Sequence, residues 1–433
     1  MLSVLPTRIR ALVPRGRFAR RLAMLSSSFA AGQVLIVASM PILTRLNSPE
    51  DFGAYAVFTS LVGILGNVVC LRFEYGVPVG RNEKESARLM QLSILCCVGF
   101  SALTVPAVYL GGGWLARVSD IPELAQLLWL LPLSVIGLGS SQALSFWSVL
   151  RGTFRLNALS RVGQSLAQAL FQVGFGLAGI GATGLILGYG LAYFVRLVHF
   201  GVLLSPHDRA LLTRAPRGLW RTARRNWQYP AYSAPAALME ASSQLLPPLI
   251  LAVLFGPAVA GWYGLGQRLL GLPVRLLAQA ASQVYMAEAT ARRETGVLRL
   301  MLKATAAFLG IGLAFMLPLL LFGPQLFAVL FGEDWRFAGE ITRVLVPQYL
   351  ARFVVTPVAQ TLTIYGRQSR HLLSSGLDAC SSLVIVLIAA WAGLSPLPTV
   401  LALSIGSTLC SLLYLVFVWR VARRHQPPAT PLS

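Results

Sequence analysis

The sequence is short of acid. Its 433 residues hold 15 Asp and Glu against 36 Lys and Arg, and charged residues make up only 12%. A soluble domain carries about a quarter of its residues as charges, so this scarcity excludes an ordinary water-exposed fold. Cysteine is also sparse. Cys70, Cys96, Cys97, Cys380 and Cys410 all fall inside apolar runs, with no loop pair and no metal-type spacing. That excludes a disulfide framework and predicts small buried hydrophobes. The sequence contains no Gly-x-x-x-x-Gly-Lys-Ser/Thr loop, no His-Glu-x-x-His, no Gly-x-Ser-x-Gly and no loop cluster of carboxylates. Nucleotide hydrolysis by the P-loop route, zinc hydrolysis, serine hydrolysis and metal-assisted sugar transfer therefore have no residues to act through. No catalytic residue, metal site or cofactor is expected.

What remains is apolar and basic. Hydrophobic residues reach 56% and the mean hydropathy is +0.68. The net charge of +21 would suit nucleic acid, but the basic residues sit in short clusters between apolar runs, not on one tail or face. The pattern predicts an all-α polytopic membrane protein of about 12 transmembrane helices. Spans need about 20 apolar residues, and they fall near 23–45, 52–71, 89–110, 124–148, 162–179, 182–203, 231–254, 258–282, 303–322, 341–363, 372–392 and 398–419. The run from Leu22 to Leu43 is too long for the apolar core of a signal peptide and reads as the first span. The fifth span carries Gln164, Gln168 and Gln172 and is expected to face the bundle interior.

Lys and Arg set the orientation. With both termini cytoplasmic, only Arg45, Arg117, Arg336 and Arg343 fall on the outer side. Arg196, Arg268, Arg275 and Arg352 lie within spans, and every other Lys and Arg lies inside. This strict alternation obeys the positive-inside rule. No outer loop exceeds the stretch Gly323 to Glu340, which leaves no room for an outer domain. Trp147, Trp227, Trp262, Trp335 and Trp419 fall near span ends, where interface anchoring is the default.

The corner between spans one and two holds Pro49, Gly53 and Tyr55; the corner between spans seven and eight holds Pro257, Gly261 and Tyr263. Both read Pro-x-x-x-Gly-x-Tyr, at one constant offset. Proline starts a helix and glycine lets backbones approach. The offset fits six spans per half, which predicts two pseudo-symmetric six-helix lobes around a central cavity. The domains are then a basic cytoplasmic N-terminus (1–22), an N-lobe (23–203), a basic linker (204–230), a C-lobe (231–419) and a cytoplasmic tail (420–433).

Several charges sit where a membrane should exclude them. A mid-span charge costs at least about 2.5–3.5 kcal/mol and persists when it faces a cavity or a partner. Glu240, Arg268 and Arg352 are deepest; Arg275 lies two turns from Arg268 on the same face; Arg196 and Asp378 are nearer the inner surface. The arrangement predicts a hydrated, net-positive cavity lined by Arg268, Arg275, Arg352 and Arg196. Arginine suits phosphate because its planar fork donates two parallel hydrogen bonds. Glu240 would tether these arginines or carry a coupling proton, with Asp378 a second coupling candidate. The alternative for Arg275, Arg196 and Asp378 is snorkelling toward the inner surface.

Five stretches carry a family resemblance. They are PILTRLNSPEDFGAY (Pro41 to Tyr55), LRFEY (Leu71 to Tyr75), the run from Tyr229-Pro230-Ala231-Tyr232 to Gln244-Leu245-Leu246-Pro247, the run from Phe255-Gly256-Pro257 through Gln267-Arg268 to Ser282-Gln283-Val284-Tyr285, and Phe331 to Trp335. In these the chain resembles the polysaccharide and O-antigen flippases of the multidrug/oligosaccharidyl-lipid/polysaccharide (MOP) exporter superfamily. The resemblance implies two six-helix lobes in a V and export of polyprenyl-diphosphate-linked oligosaccharide across a bacterial inner membrane. It also implies a cationic cavity onto which Arg268, Arg352 and Glu240 map. The expected partners are that lipid-linked substrate, membrane lipids, and polysaccharide polymerase and chain-length proteins, without nucleic acid. The first lobe carries few deep charges, so head-group binding would fall mainly to the second. Three rivals remain. A cation-coupled drug exporter would want an acidic cavity, a polymerase or ligase would want a large outer loop with catalytic groups, and a scaffold would need no deep charge.

Overall fold

The computed structural model describes residues 17–213, 218–292, 296–365 and 369–425, leaving aside the side chains of 17–27, 279–280 and 369–375. The expected basic positions Arg8, Arg10, Arg15, Arg214, Arg217, Arg293 and Arg367, and the tail beyond 425, lie outside the described residues, as do the side chains of Arg17, Arg20, Arg21 and Arg370.

Every described element is helical. The long helices are α1 (Arg17–Leu46), α2 (Pro49–Gly66), α3 (Glu83–Val118), α4 (Leu131–Leu150), α5 (Phe154–Leu177) and α6 (Ala182–Leu203). Two short helices follow, α7 (Pro206–Thr213) and α8 (Leu219–Arg225). The second series is α9 (Ala234–Phe255), α10 (Pro257–Pro273), α11 (Gln279–Ala291), α12 (Leu298–Phe331), α13 (Arg336–Val358), α14 (Ser369–Trp391) and α15 (Pro396–Arg424). Each expected span falls on a helix. A π-turn, Val274–Ala278, joins α10 to α11, so the eighth span runs on well past its expected end.

Local chemistry explains the corners. At the start of α2, Ser48 and Asp51 form a reciprocal capping box and Pro49 occupies the first turn. Gly256, at φ 84°, breaks the chain between α9 and α10 where a side chain would be strained. The ninth span differs from expectation. α12 continues to Phe331 across a kink at Phe322, beside Pro324. The long outer loop expected from Gly323 is therefore mostly helix, because proline bends a helix whose flanking residues remain good helix formers.

Seven helices among the described residues are long and apolar enough to cross a membrane, and the chain is a multi-pass membrane protein. Helices α2, α5, α10 and α13 are not among the seven. Of these, α5, α10 and α13 carry glutamines and arginines within the span, and α2 opens on Glu50 and Asp51. Helices α1 to α6 pack on one another, as do α9 to α15, and the two sets meet chiefly where α2 packs against α9 and α10. The side on which α1 begins and α15 ends is the basic end of the bundle; the opposite side is the far end.

The far end is sealed by the repeated corners. A Cβ on Gly53 would lie 1.9 Å from the Pro257 carbonyl oxygen, and one on Gly261 would lie 2.0 Å from that of Pro49. The two contacts are reciprocal: each half's glycine receives the other half's proline. Trp335 completes the seal. Its indole Nε1 donates to the Thr44 carbonyl at 3.1 Å and its ring meets Phe52 edge-on. Trp335 and Trp147 are thus packed inside at 1% exposure, not anchored at an interface, because helix-to-helix contact buries more of an indole than a lipid boundary would. The cysteines also divide: Cys70 and Cys97 are buried as expected, whereas Cys380 is exposed.

Candidate functional site

Below the sealed end lies a cavity of about 1210 Å³. Its lining comes from the middle and basic-end parts of both helix sets, so it faces the basic end. Helices α2, α5, α10, α13 and α14, none of them among the seven apolar ones, contribute to it: Tyr55 from α2, Arg161 and Gln164 from α5, Arg268 from α10, Arg352 from α13 and Asp378 from α14. Helices α3 and α12 contribute nothing.

All six residues singled out from the sequence line this one cavity: Arg196, Glu240, Arg268, Arg275, Arg352 and Asp378. Arg161, assigned from the sequence to a loop region, lines it too. The signal for Arg161 was available, because it continues the Gln164, Gln168 helical face by one turn. Five arginines thus face two carboxylates, and the cavity is net positive.

Each arginine is held differently. The Arg268 guanidinium lies 4.3 Å over the ring of Tyr55, a cation–π contact reaching from the second helix set to the first. Its Nη1 is buried with no hydrogen-bond partner among the described residues. Tyr55 is itself fixed by Gln168, which donates to its hydroxyl at 3.2 Å. Arg275 donates its Nε to the Gly271 carbonyl of its own helix at 3.3 Å. Arg352 reaches Asp378 at 3.9 Å, and Asp378 also accepts from the Ser407 hydroxyl at 2.5 Å. Arg161 sits 5.3 Å over Phe29.

Arg196 is 5% exposed. It donates to Gln164, Ser145 and Asn157, at 3.2, 2.6 and 3.1 Å. These partners are neutral, so its charge is solvated by the protein without being cancelled. It does not snorkel. Glu240 faces the cavity and forms no ion pair among the described residues. The expected tether between Glu240 and the arginines is therefore not made here. Gln172 is absent from the lining; it is buried and donates to the Leu185 carbonyl at 2.8 Å, joining α5 to α6.

Chemically, this is a polar, net-positive chamber with an unpartnered Arg268 donor and two carboxylates, of which Asp378 alone is paired with an arginine. Comparisons with known proteins agree with the fold. Residues 42–339 match a family described as "Polysaccharide biosynthesis protein". The structure is similar to an inward-facing multidrug resistance MATE family transporter of the MOP superfamily, with a TM-score of 0.74 and 14% identity, over 94% of this chain and 100% of that one. It is similar to the lipid II flippase MurJ in an inward closed conformation, with a TM-score of 0.69 and 11% identity, over 93% of this chain and 90% of that one. A third likeness is to a Pyrococcus furiosus MOP superfamily transporter described as having a binding pocket of reverse polarity, with a TM-score of 0.62 and 14% identity, over 98% of this chain and 99% of that one. No curated protein sequence matches the chain. At these identities the structural likenesses establish the shared fold.

Proposed function

The chain belongs to the polysaccharide biosynthesis protein family, and from that premise we propose that it flips polyprenyl-diphosphate-linked oligosaccharides across a bacterial inner membrane. The basic end is then cytoplasmic, and the cargo moves to the outer leaflet for surface polysaccharide synthesis. The observation that carries this reading is the charge balance of the cavity: five arginines against two carboxylates, in a chamber between two helix sets.

The physical problem is to take a sugar-diphosphate head through about 30 Å of hydrocarbon. Unpaired phosphate charge there is prohibitive. Arg268, Arg275 and Arg352 replace its hydration with charge-assisted hydrogen bonds, while Arg161 and Arg196 keep the opposite wall positive. The polyprenyl tail stays in lipid. The two helix sets rock against each other, so that the far-end seal parts as the basic end closes and the chamber opens on alternate sides. With the cytoplasm negative, moving two negative charges outward gains roughly 4–5 kcal/mol per 100 mV, which makes ATP unnecessary. Glu240, unpaired and facing the cavity, is the site for a coupling proton. Asp378, engaged by Arg352 and Ser407, answers to the cargo by exchanging partners. The rivals fit the residues less well: a cationic drug would meet five like charges, and a polymerase or ligase would place acid–base groups at the far end, not arginines in a chamber.

The test uses the purified chain in liposomes, with fluorescent polyprenyl-diphosphate sugar and, separately, a cationic dye. The proposal expects inward-leaflet lipid sugar to reach the outer leaflet faster than in protein-free vesicles, with no dye export. Dye export without lipid-sugar movement would overturn it.

A further inference from the structure

The segment joining the two helix sets has a use that the cavity does not explain. From Gly218 to Tyr232 it contains no acidic residue. Helix α8 turns Thr222 inward, with Leu219 and Ala223 half-buried beside it, and Arg225 pairs with Glu85 of α3 at 3.6 Å. This face is held by protein. The other face is not. Trp220 is 80% exposed, Trp227 50% and Tyr232 66%, and Arg221 and Arg224 are exposed between them. Trp220, Arg221 and Arg224 share one side of α8, at 3.6 residues per turn, and exposed Trp227 extends the stripe in the turn just past the helix end. The rings of Trp227 and Tyr232 lie tilted against each other with their centroids 5.5 Å apart, which ties the aromatic end of the stripe together.

Its depth can be placed. The apolar helical run Tyr229–Phe255 has 27 residues, which rise about 40 Å against about 30 Å of hydrocarbon. Gly256 starts the far-end corner, so the surplus emerges at the basic end, around Trp227 and Tyr232. The stripe therefore lies at headgroup level. Indole and phenol rings settle there because they present an apolar body and a polar edge, and arginines beside them meet phosphate.

We propose that this stripe is a docking surface for anionic phospholipid headgroups of the leaflet at the basic end. Charge complementarity argues for lipid: two exposed arginines that form no ion pair among the described residues attract an anionic surface by about 1 kcal/mol each, or about thirtyfold together. The aromatic flanks argue against a soluble acidic partner, which would leave Trp220 in water. The surface pins the linker to the bilayer, and through Arg225 and Glu85 it pins α3 as well.

Amide hydrogen exchange on the full chain in nanodiscs tests this without reference to transport. In discs rich in phosphatidylglycerol, residues 219–228 should exchange about tenfold more slowly than in pure phosphatidylcholine, and raised salt should erase the difference. The R221Q/R224Q double variant should show no lipid dependence, while α12 exchanges identically throughout. Because both arginines are exposed, the variant keeps its fold; Trp220→Ala, which keeps the charges, should retain part of the effect. Equal exchange of the wild-type segment in both lipids would overturn the proposal. So would a lipid effect that survives the double substitution. Protection that appears only with an added soluble protein would assign the face to that partner instead and overturn the proposal as well.

Discussion

Helices α2 and α10 begin with the same words and end in different chemistry. Both open on Pro-x-x-x-Gly-x-Tyr, and their glycines lock reciprocally against each other's prolines. Beyond the corner they diverge. At the repeat offset, Arg268 answers to Ser60 and Arg275 to Asn67. Tyr55 faces the cavity under Arg268, whereas its counterpart Tyr263 is 2% exposed among Tyr349 and Met316. Helix α2 then stops, and the chain passes through left-handed backbone at Leu71 and Arg72, while α10 runs on through a π-turn. The repeat thus preserves the far-end contact and redistributes the charge. Backbone contacts at a close crossing leave no room for a larger side chain, whereas side chains facing a cavity are not fixed by packing and can differ between the halves.

That contrast can be broken in order of effect. Replacing Arg268 by Ala should cut lipid-sugar flipping in liposomes by about 100-fold, since a charge-assisted contact to a diphosphate is worth about 1.5–3 kcal/mol and its cation–π clamp on Tyr55 is lost with it. Ser60→Ala, the matched change, should stay within about twofold. Equal losses would mean that the two helices share the load. Arg268→Lys should recover only part of the rate, because a point charge cannot reproduce the fork.

The far-end seal should behave oppositely, with both halves alike. Gly53→Ala and Gly261→Ala each drive a methyl into a backbone oxygen, at a cost of about 1–3 kcal/mol to the closed far end. Spin labels across that end should report the same widening in both variants, with thermal stability little changed. Widening in one alone would break the reciprocity.

A smaller effect lies in the second half only. Asp378→Asn should release Arg352 and weaken substrate selectivity by severalfold, read as a change in apparent KM with the maximal rate kept. The smallest concerns the far-end turn. The Arg336 guanidinium holds the Glu333 carboxyl below its ordinary value. A depressed folded value means that the pair's contribution is present above about pH 4.3, the ordinary glutamate value, and is lost as pH falls through the lower one. Because Trp335 sits between them, its fluorescence should change below that pH, and Glu333→Gln should abolish the step.

Much of this was legible in the sequence, for physical reasons. A bilayer imposes length and apolarity on every span, so the helices, their order and the deep charges could be read from single residues. Arg268, Glu240 and Arg352 were visible because a charge among apolar neighbours has few explanations. The structure added what depends on distance in space. It moved Arg161 from loop to cavity and buried Arg196 among Gln164, Ser145 and Asn157. It left Glu240 unpaired, and it turned Trp335 from an anchor into part of a seal. Composition and spacing decided which segments the membrane accepts, because the solvent acts on each segment separately. Only packing decided which charges meet, because a partner is chosen by proximity, and proximity between Tyr55 and Arg268 is a property of two helices crossing, not of either one.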